Sequence, residues 1–86
     1  MPTLATVAGM AILIYYADHD PPHFHVRAAG FRAKIAIRDL AVIEVAGRMK
    51  PSEVEAIRIW ARKHQAALME NWRRASALQP VKKIED

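Results

Sequence analysis

The stretch HFHVRAAGFRAKIAIR, residues 23–38, decides the fold of this chain. Apolar and polar side chains alternate along both of its halves, which is the pattern of two half-buried strands. Between the halves, Ala29-Gly30 suits a two-residue hairpin turn. Such a turn places residue 28 opposite 31 and residue 24 opposite 35. Apolar side chains then face apolar ones across the pair, and a one-residue slip would lose this match.

The polar side of this hairpin is strongly basic. The predicted register places His25 opposite Lys34 and Arg27 opposite Arg32. Like charges directly opposite each other are destabilising, and a bound anion would relieve their repulsion. Phosphate is the natural anion for paired arginines. The candidate phosphate-binding residues are Arg27, Arg32, Lys34 and Arg38.

The preceding segment, DHDPPHFHV at residues 18–26, holds three of the four histidines of the chain. Pro21-Pro22 makes it a stiff corner. Lys34 should lower the pKa of the neighbouring His25, which favours a neutral general base, and a second histidine can serve as the acid. Asp18 or Asp20 would orient one ring. The candidate catalytic residues for metal-free RNA cleavage are His23, His25, Asp18 and His19.

A metal site is the competing interpretation of the same residues. His23 and His25 share a strand face, and Asp18 or Asp20 could complete a ligand set for zinc, iron, nickel or manganese. An H-x-H pair alone is a weak motif, and the adjacent basic side chains repel a cation. The sequence therefore predicts neither metal nor cofactor, with a metal-dependent hydrolase as an alternative function.

The remaining sequence predicts further strands and a C-terminal helix. The strand segments are 3–8, 10–16 and 42–45, beside those at 23–28 and 31–38. A helical pattern begins at Pro51 and runs over 51–77, which is long for this domain, so we expect a break near His64-Gln65 or an overhang. The expected core residues are Phe24, Val26, Ile35, Ile37, Ile57 and Trp60.

The 86 residues correspond to one domain, 1–86, with a sheet over 1–46, helix over 51–77 and an extended tail over 78–86. The predicted fold is α+β: a small, mostly antiparallel sheet of three to five strands packed on a C-terminal helix or helix pair. A net charge of +4 suits an acidic partner or RNA. The uncharged start of the chain is too short to span a membrane. Absence of cysteine suits the cytoplasm.

Several motifs of the chain occur in a fixed order: Met1-Pro2-Thr3, the Ile- and Tyr-rich 12–16, the D-H-x-P-P-H-F-H-V motif at 18–26, Trp60 with His64, Leu68 with Asn71-Trp72, and the K-K-I-E ending at 82–85. In these motifs the chain resembles a prokaryotic family of unknown function, domain-of-unknown-function family 4160. The resemblance implies a partner, since family members are often encoded beside a small protein of domain-of-unknown-function family 2442. Such a pair looks like a toxin–antitoxin module.

Two functions from different classes therefore stay open beside the hydrolase. The first is a toxin-like protein that binds or cleaves RNA through its His, Arg and Lys face. The second is a non-catalytic module that docks a partner protein or DNA on the same face, with the His-Asp corner serving the structure. The sequence does not indicate an oligomeric state.

Overall fold

A computed structural model describes residues 3–85, and residues 1, 2 and 86 lie outside the described part. It contains a five-stranded antiparallel sheet in the order β1-β2-β3-β4-β5, followed by two helices. The elements are β1 (Thr3–Val7), β2 (Met10–Leu13), β3 (His23–Ala28), β4 (Phe31–Ala36), β5 (Val42–Gly47), α1 (Pro51–Lys63) and α2 (Gln65–Ser76). The predicted α+β class is confirmed.

The register of the central hairpin is the predicted one. Ala28 lies opposite Phe31 and Phe24 lies opposite Ile35, with every intermediate pair in step. Because side chains alternate between faces, this register puts the apolar side chains of both strands on one face and the basic ones on the other. The hairpin therefore separates the core from a basic surface.

Strand lengths differ from the prediction at three turns. β2 ends at Leu13 rather than at residue 16, because Ala17 (φ 54°) turns the chain. β4 ends at Ala36 rather than at 38, and Leu40 (φ 60°) completes that turn. β1 stops one residue early, at Val7. After β2 the β-branched and aromatic run continues in the sequence, and after β4 the alternation does, but the backbone has already left the sheet.

The helices pack on the apolar face of the sheet. All six expected core residues are buried, and they join one cluster with Leu68 and Trp72 of α2. The predicted break also occurs, since His64 (φ −124°, ψ 20°) separates α1 from α2. α1 begins at Pro51, and the carboxylate of Glu53 accepts a hydrogen bond of 2.8 Å from the Lys50 backbone N–H. This bond satisfies a helix-end donor.

The C-terminal segment is tied to both layers. The buried Asn71 side chain donates to the Ala67 carbonyl (3.1 Å) and accepts from the Lys82 N–H (2.7 Å). The Ile84 N–H donates to the Leu4 carbonyl at 2.8 Å, so the tail lies against β1. Within residues 3–85, none of the helices has the length and apolar character needed to cross a bilayer.

Candidate functional site

The loop between β2 and β3 brings Asp18 back against the start of β3. The loop turns at Ala17, whose N–H donates to the Ala75 carbonyl near the end of α2 (3.2 Å). It then passes through Pro21 and Pro22, with a cis peptide bond between Asp20 and Pro21. This path places a carboxylate from the loop beside the side chains that β3 presents.

Two histidine rings meet one oxygen of that carboxylate. The Nε2 atom of His23 lies 3.0 Å from Asp18 Oδ2, and the Nε2 atom of His25 lies 3.1 Å from the same oxygen. The other oxygen, Oδ1, accepts from the His19 N–H at 2.8 Å. We call these three side chains the Asp18–His23–His25 cluster. Among the residues that the structure describes, it is the one group of three or more potential ligands suited to a metal ion.

The protonation of His23 is constrained by the backbone. Its Nδ1 atom lies 2.8 Å from the Pro21 carbonyl, which can only accept a hydrogen bond. Nδ1 must therefore carry a hydrogen and donate it. In the neutral ring, Nε2 then carries no hydrogen and directs its lone pair at the Asp18 carboxylate.

Aromatic side chains hold both rings in place. The indole of Trp72 packs against His23 with ring centres 5.1 Å apart, and His23 is only 4% exposed. Tyr15 lies over His25 at 3.9 Å. His25 and Asp18 keep part of their side-chain surface in contact with solvent. The cluster thus has a buried side at His23 and an open side at His25.

The surroundings shift two pKa values. Burial lowers the pKa of His25 because it disfavours the charged ring, and this outweighs the hydrogen bond to Asp18 that works the other way. Partial burial of Asp18 works to raise the pKa of its carboxyl, but hydrogen bonds from His25 and the His19 N–H outweigh it and lower that pKa. At neutral pH the cluster therefore combines a carboxylate with a neutral His25 ring.

The basic side of the hairpin forms a shallow pocket that begins at His25. We call this surface, made by His25 and Arg27 of β3 with Arg32 and Lys34 of β4, the open face. Its pocket has a volume of about 250 Å³, and Tyr15 and Glu44 also line it. Arg27 donates to the Tyr15 hydroxyl at 3.1 Å.

Of the sequence-predicted site residues, Arg38 and the His19 side chain lie apart from these two features. Arg38 is exposed in the turn after β4 and does not line the pocket. The side chain of His19 is exposed and stands outside the three-ligand group, although its N–H serves Asp18. Sequence reasoning missed Tyr15 and Trp72 as parts of the site, since both fitted a core pattern.

Comparison with known proteins identifies a family. A family model described as "Domain of unknown function (DUF4160)" matches residues 9–73, which include the cluster and the whole open face. No curated protein matches significantly, and no solved structure does.

Proposed function

The chain belongs to the family described as "Domain of unknown function (DUF4160)", and we propose that it binds RNA through the phosphate backbone on its open face. In this proposal it acts in the cytoplasm as one member of a two-gene toxin–antitoxin-like module. The observation that carries it is the convergence of Arg27, Arg32 and Lys34 on one pocket.

The two arginines are the strongest feature of that pocket. Arg27 and Arg32 lie directly opposite each other in the β3–β4 register. Lys34 has a carboxylate partner, Glu44, at 3.1 Å, but within residues 3–85 neither arginine has one. An unneutralised arginine pair on a sheet surface binds a bridging phosphate well, because each guanidinium donates in a planar fork.

Aromatic surface beside these charges favours RNA over a small anion. The ring of Tyr15 borders the pocket and stacks at a tilt on His25. The adjacent Tyr16 side chain is exposed. Proteins that bind single-stranded nucleic acid combine a basic surface with aromatic rings on which bases stack. On the open face, a basic surface and an aromatic ring line the same pocket.

Binding is better supported than metal-free cleavage. An acid–base pair needs two rings free to face the scissile phosphate. Here His23 is buried and both Nε2 atoms point at Asp18 instead. The roles of these histidines as catalytic acid and base stay a prediction, which the binding experiment also addresses.

The test is a titration of fluorescent single-stranded RNA of about 12 nucleotides, followed by anisotropy. Three cationic contacts predict a slope of log K against log salt near −2, since each neutralised phosphate on a single strand contributes about −0.7. The same samples, run on a denaturing gel with and without chelator, report cleavage. A slope near zero, or no binding at about 50 mM salt, would contradict the proposal.

A second candidate function, protein binding, is favoured by β5. This strand lies at the edge of the sheet, and its side chains Ile43 and Val45 are 46% and 42% exposed. Unpaired backbone and apolar side chains on an edge strand can accept a strand from another protein. We propose that the small protein encoded by a neighbouring gene docks here.

Co-expression with that neighbouring protein tests the second candidate. The Val45→Lys variant should lose co-purification of the partner, because a charge would enter the apolar edge. Ile59→Lys is the matched control, since Ile59 is a comparably exposed apolar residue on α1. If both variants, or neither, release the partner, β5 is not the docking edge.

A further inference from the structure

We propose that the Asp18–His23–His25 cluster binds one divalent first-row transition metal ion through Asp18 Oδ2, His23 Nε2 and His25 Nε2. The proposal does not rest on RNA binding, although His25 belongs to both the cluster and the open face. Two imidazoles and one carboxylate form the protein ligand set of several catalytic zinc sites and of non-haem iron sites. Such a set leaves coordination positions for water or a substrate oxygen.

The spacing of the donor atoms fits such an ion. The two N···O distances are 3.0 and 3.1 Å, and all three donor atoms lie within 4.8 Å of one another. With metal–ligand bonds of about 2.1 Å, two ligands at a right angle are about 3.0 Å apart. Both N···O edges thus match two ligands at a right angle on one ion, and the two rings need to adjust to a common centre.

The far side of the His23 ring makes the hydrogen bond that is typical of a metal-binding histidine. Its Nδ1–H donates to the Pro21 carbonyl, which orients the ring and leaves Nε2 available as a lone pair. Metal-binding histidines almost always donate their other ring N–H to a carbonyl or carboxylate in this way. The Trp72 indole packs against the same ring and limits its rotation.

Both rings can present Nε2 to a shared ion. In His23, the hydrogen bond from Nδ1–H to the Pro21 carbonyl already turns Nε2 toward Asp18 Oδ2. In His25, Nε2 faces the same oxygen, and metal binding would use the tautomer whose hydrogen is on Nδ1.

The nearby cations do not exclude an ion. Lys34, opposite His25, is paired with Glu44 at 3.1 Å, which offsets its charge. Arg27 keeps its charge and donates to the Tyr15 hydroxyl. In the folded protein the repulsion of a metal ion is therefore reduced at Lys34, the residue directly opposite His25.

The experiment uses the full chain without a polyhistidine tag, stripped with chelator and dialysed. Zn²⁺ is titrated by calorimetry, and Co²⁺ by its visible absorption. We expect one ion per chain, with affinity falling at least about tenfold in each of Asp18→Asn, His23→Gln and His25→Ala, since even outer-shell changes cost 10–100-fold. His19→Ala is the matched control, because it removes an exposed histidine next to the cluster and should leave affinity unchanged.

Long-range ¹H–¹⁵N NMR of the histidine rings tests the wild-type protein directly, should any variant fail to fold. Addition of Zn²⁺ should shift the Nε2 resonances of His23 and His25 and leave those of His19 and His64 in place. Absence of stoichiometric binding would overturn the proposal and assign the cluster to hydrogen bonding alone. Binding that survives in the folded variants, or that shifts other histidines, would overturn it as well.

Discussion

Replacing Arg27 and Arg32 together with glutamate should lower RNA affinity by at least about a hundredfold. Each arginine is expected to donate charge-assisted hydrogen bonds to phosphate, worth about 1.5–3 kcal/mol, and each glutamate adds repulsion. Because Lys34 would remain as the one cation of the pocket, the slope of log K against log salt should become shallower, from about −2 to about −0.7. Anisotropy titrations over about 50–200 mM salt measure both quantities.

A control with the same charge change separates a site from bulk charge. Arg62 and Lys63 are exposed near the end of α1 and lie outside the pocket. The Arg62→Glu/Lys63→Glu variant should therefore bind RNA almost as well as the wild type. Equal losses in the two double variants would mean that affinity follows net charge, and the open face would then have no special role. Both proteins should stay folded, since all four side chains are on the surface.

The central hairpin was predictable because its information is local. Alternation from His23 to Arg38 and a turn at Ala29-Gly30 are enough to determine which residues face each other. A break near His64-Gln65 was one of two expected outcomes, beside an overhang, since a continuous helix of that length is long for a small domain. Prediction failed where the backbone turns, because residues 37 and 38 continue the alternation but already belong to a turn. Arg38 consequently lies apart from the other three basic candidates.

The candidate site was predictable only in part. Asp18, His23 and His25 could be named from a single motif, since a stiff corner keeps them near one another. The convergence of two Nε2 atoms on one carboxylate oxygen could not be predicted, because it depends on the path of the loop and on the Pro21 carbonyl. The part played by Trp72 needed the packing of α2 against β3, a contact between residues 49 positions apart in the chain.

Trp72→Ala should lower the free energy of unfolding by about 3–5 kcal/mol, the largest stability effect that we expect from a single substitution. Trp72 is 7% exposed and belongs to the hydrophobic core that joins α2 to the sheet. Its loss removes a large apolar area and leaves a cavity beside His23. Since domains of this kind are stable by only about 5–15 kcal/mol, urea unfolding should show a clear shift of the midpoint.

The Trp72 indole contributes to stability and also packs against the Asp18–His23–His25 cluster. Two further variants separate these two effects. Leu78→Ala removes an apolar side chain that is 70% exposed. The free energy of unfolding of this variant should therefore stay within about 0.5 kcal/mol of the wild-type value. Trp72→Phe keeps an aromatic ring in the core and should cost less than Trp72→Ala, but a smaller ring holds the His23 imidazole less firmly. We therefore expect Trp72→Phe to weaken Zn²⁺ binding while remaining folded. A Trp72→Ala variant as stable as the wild type would contradict the packing of α2 on β3, because a buried indole cannot be removed from a close-packed core without loss.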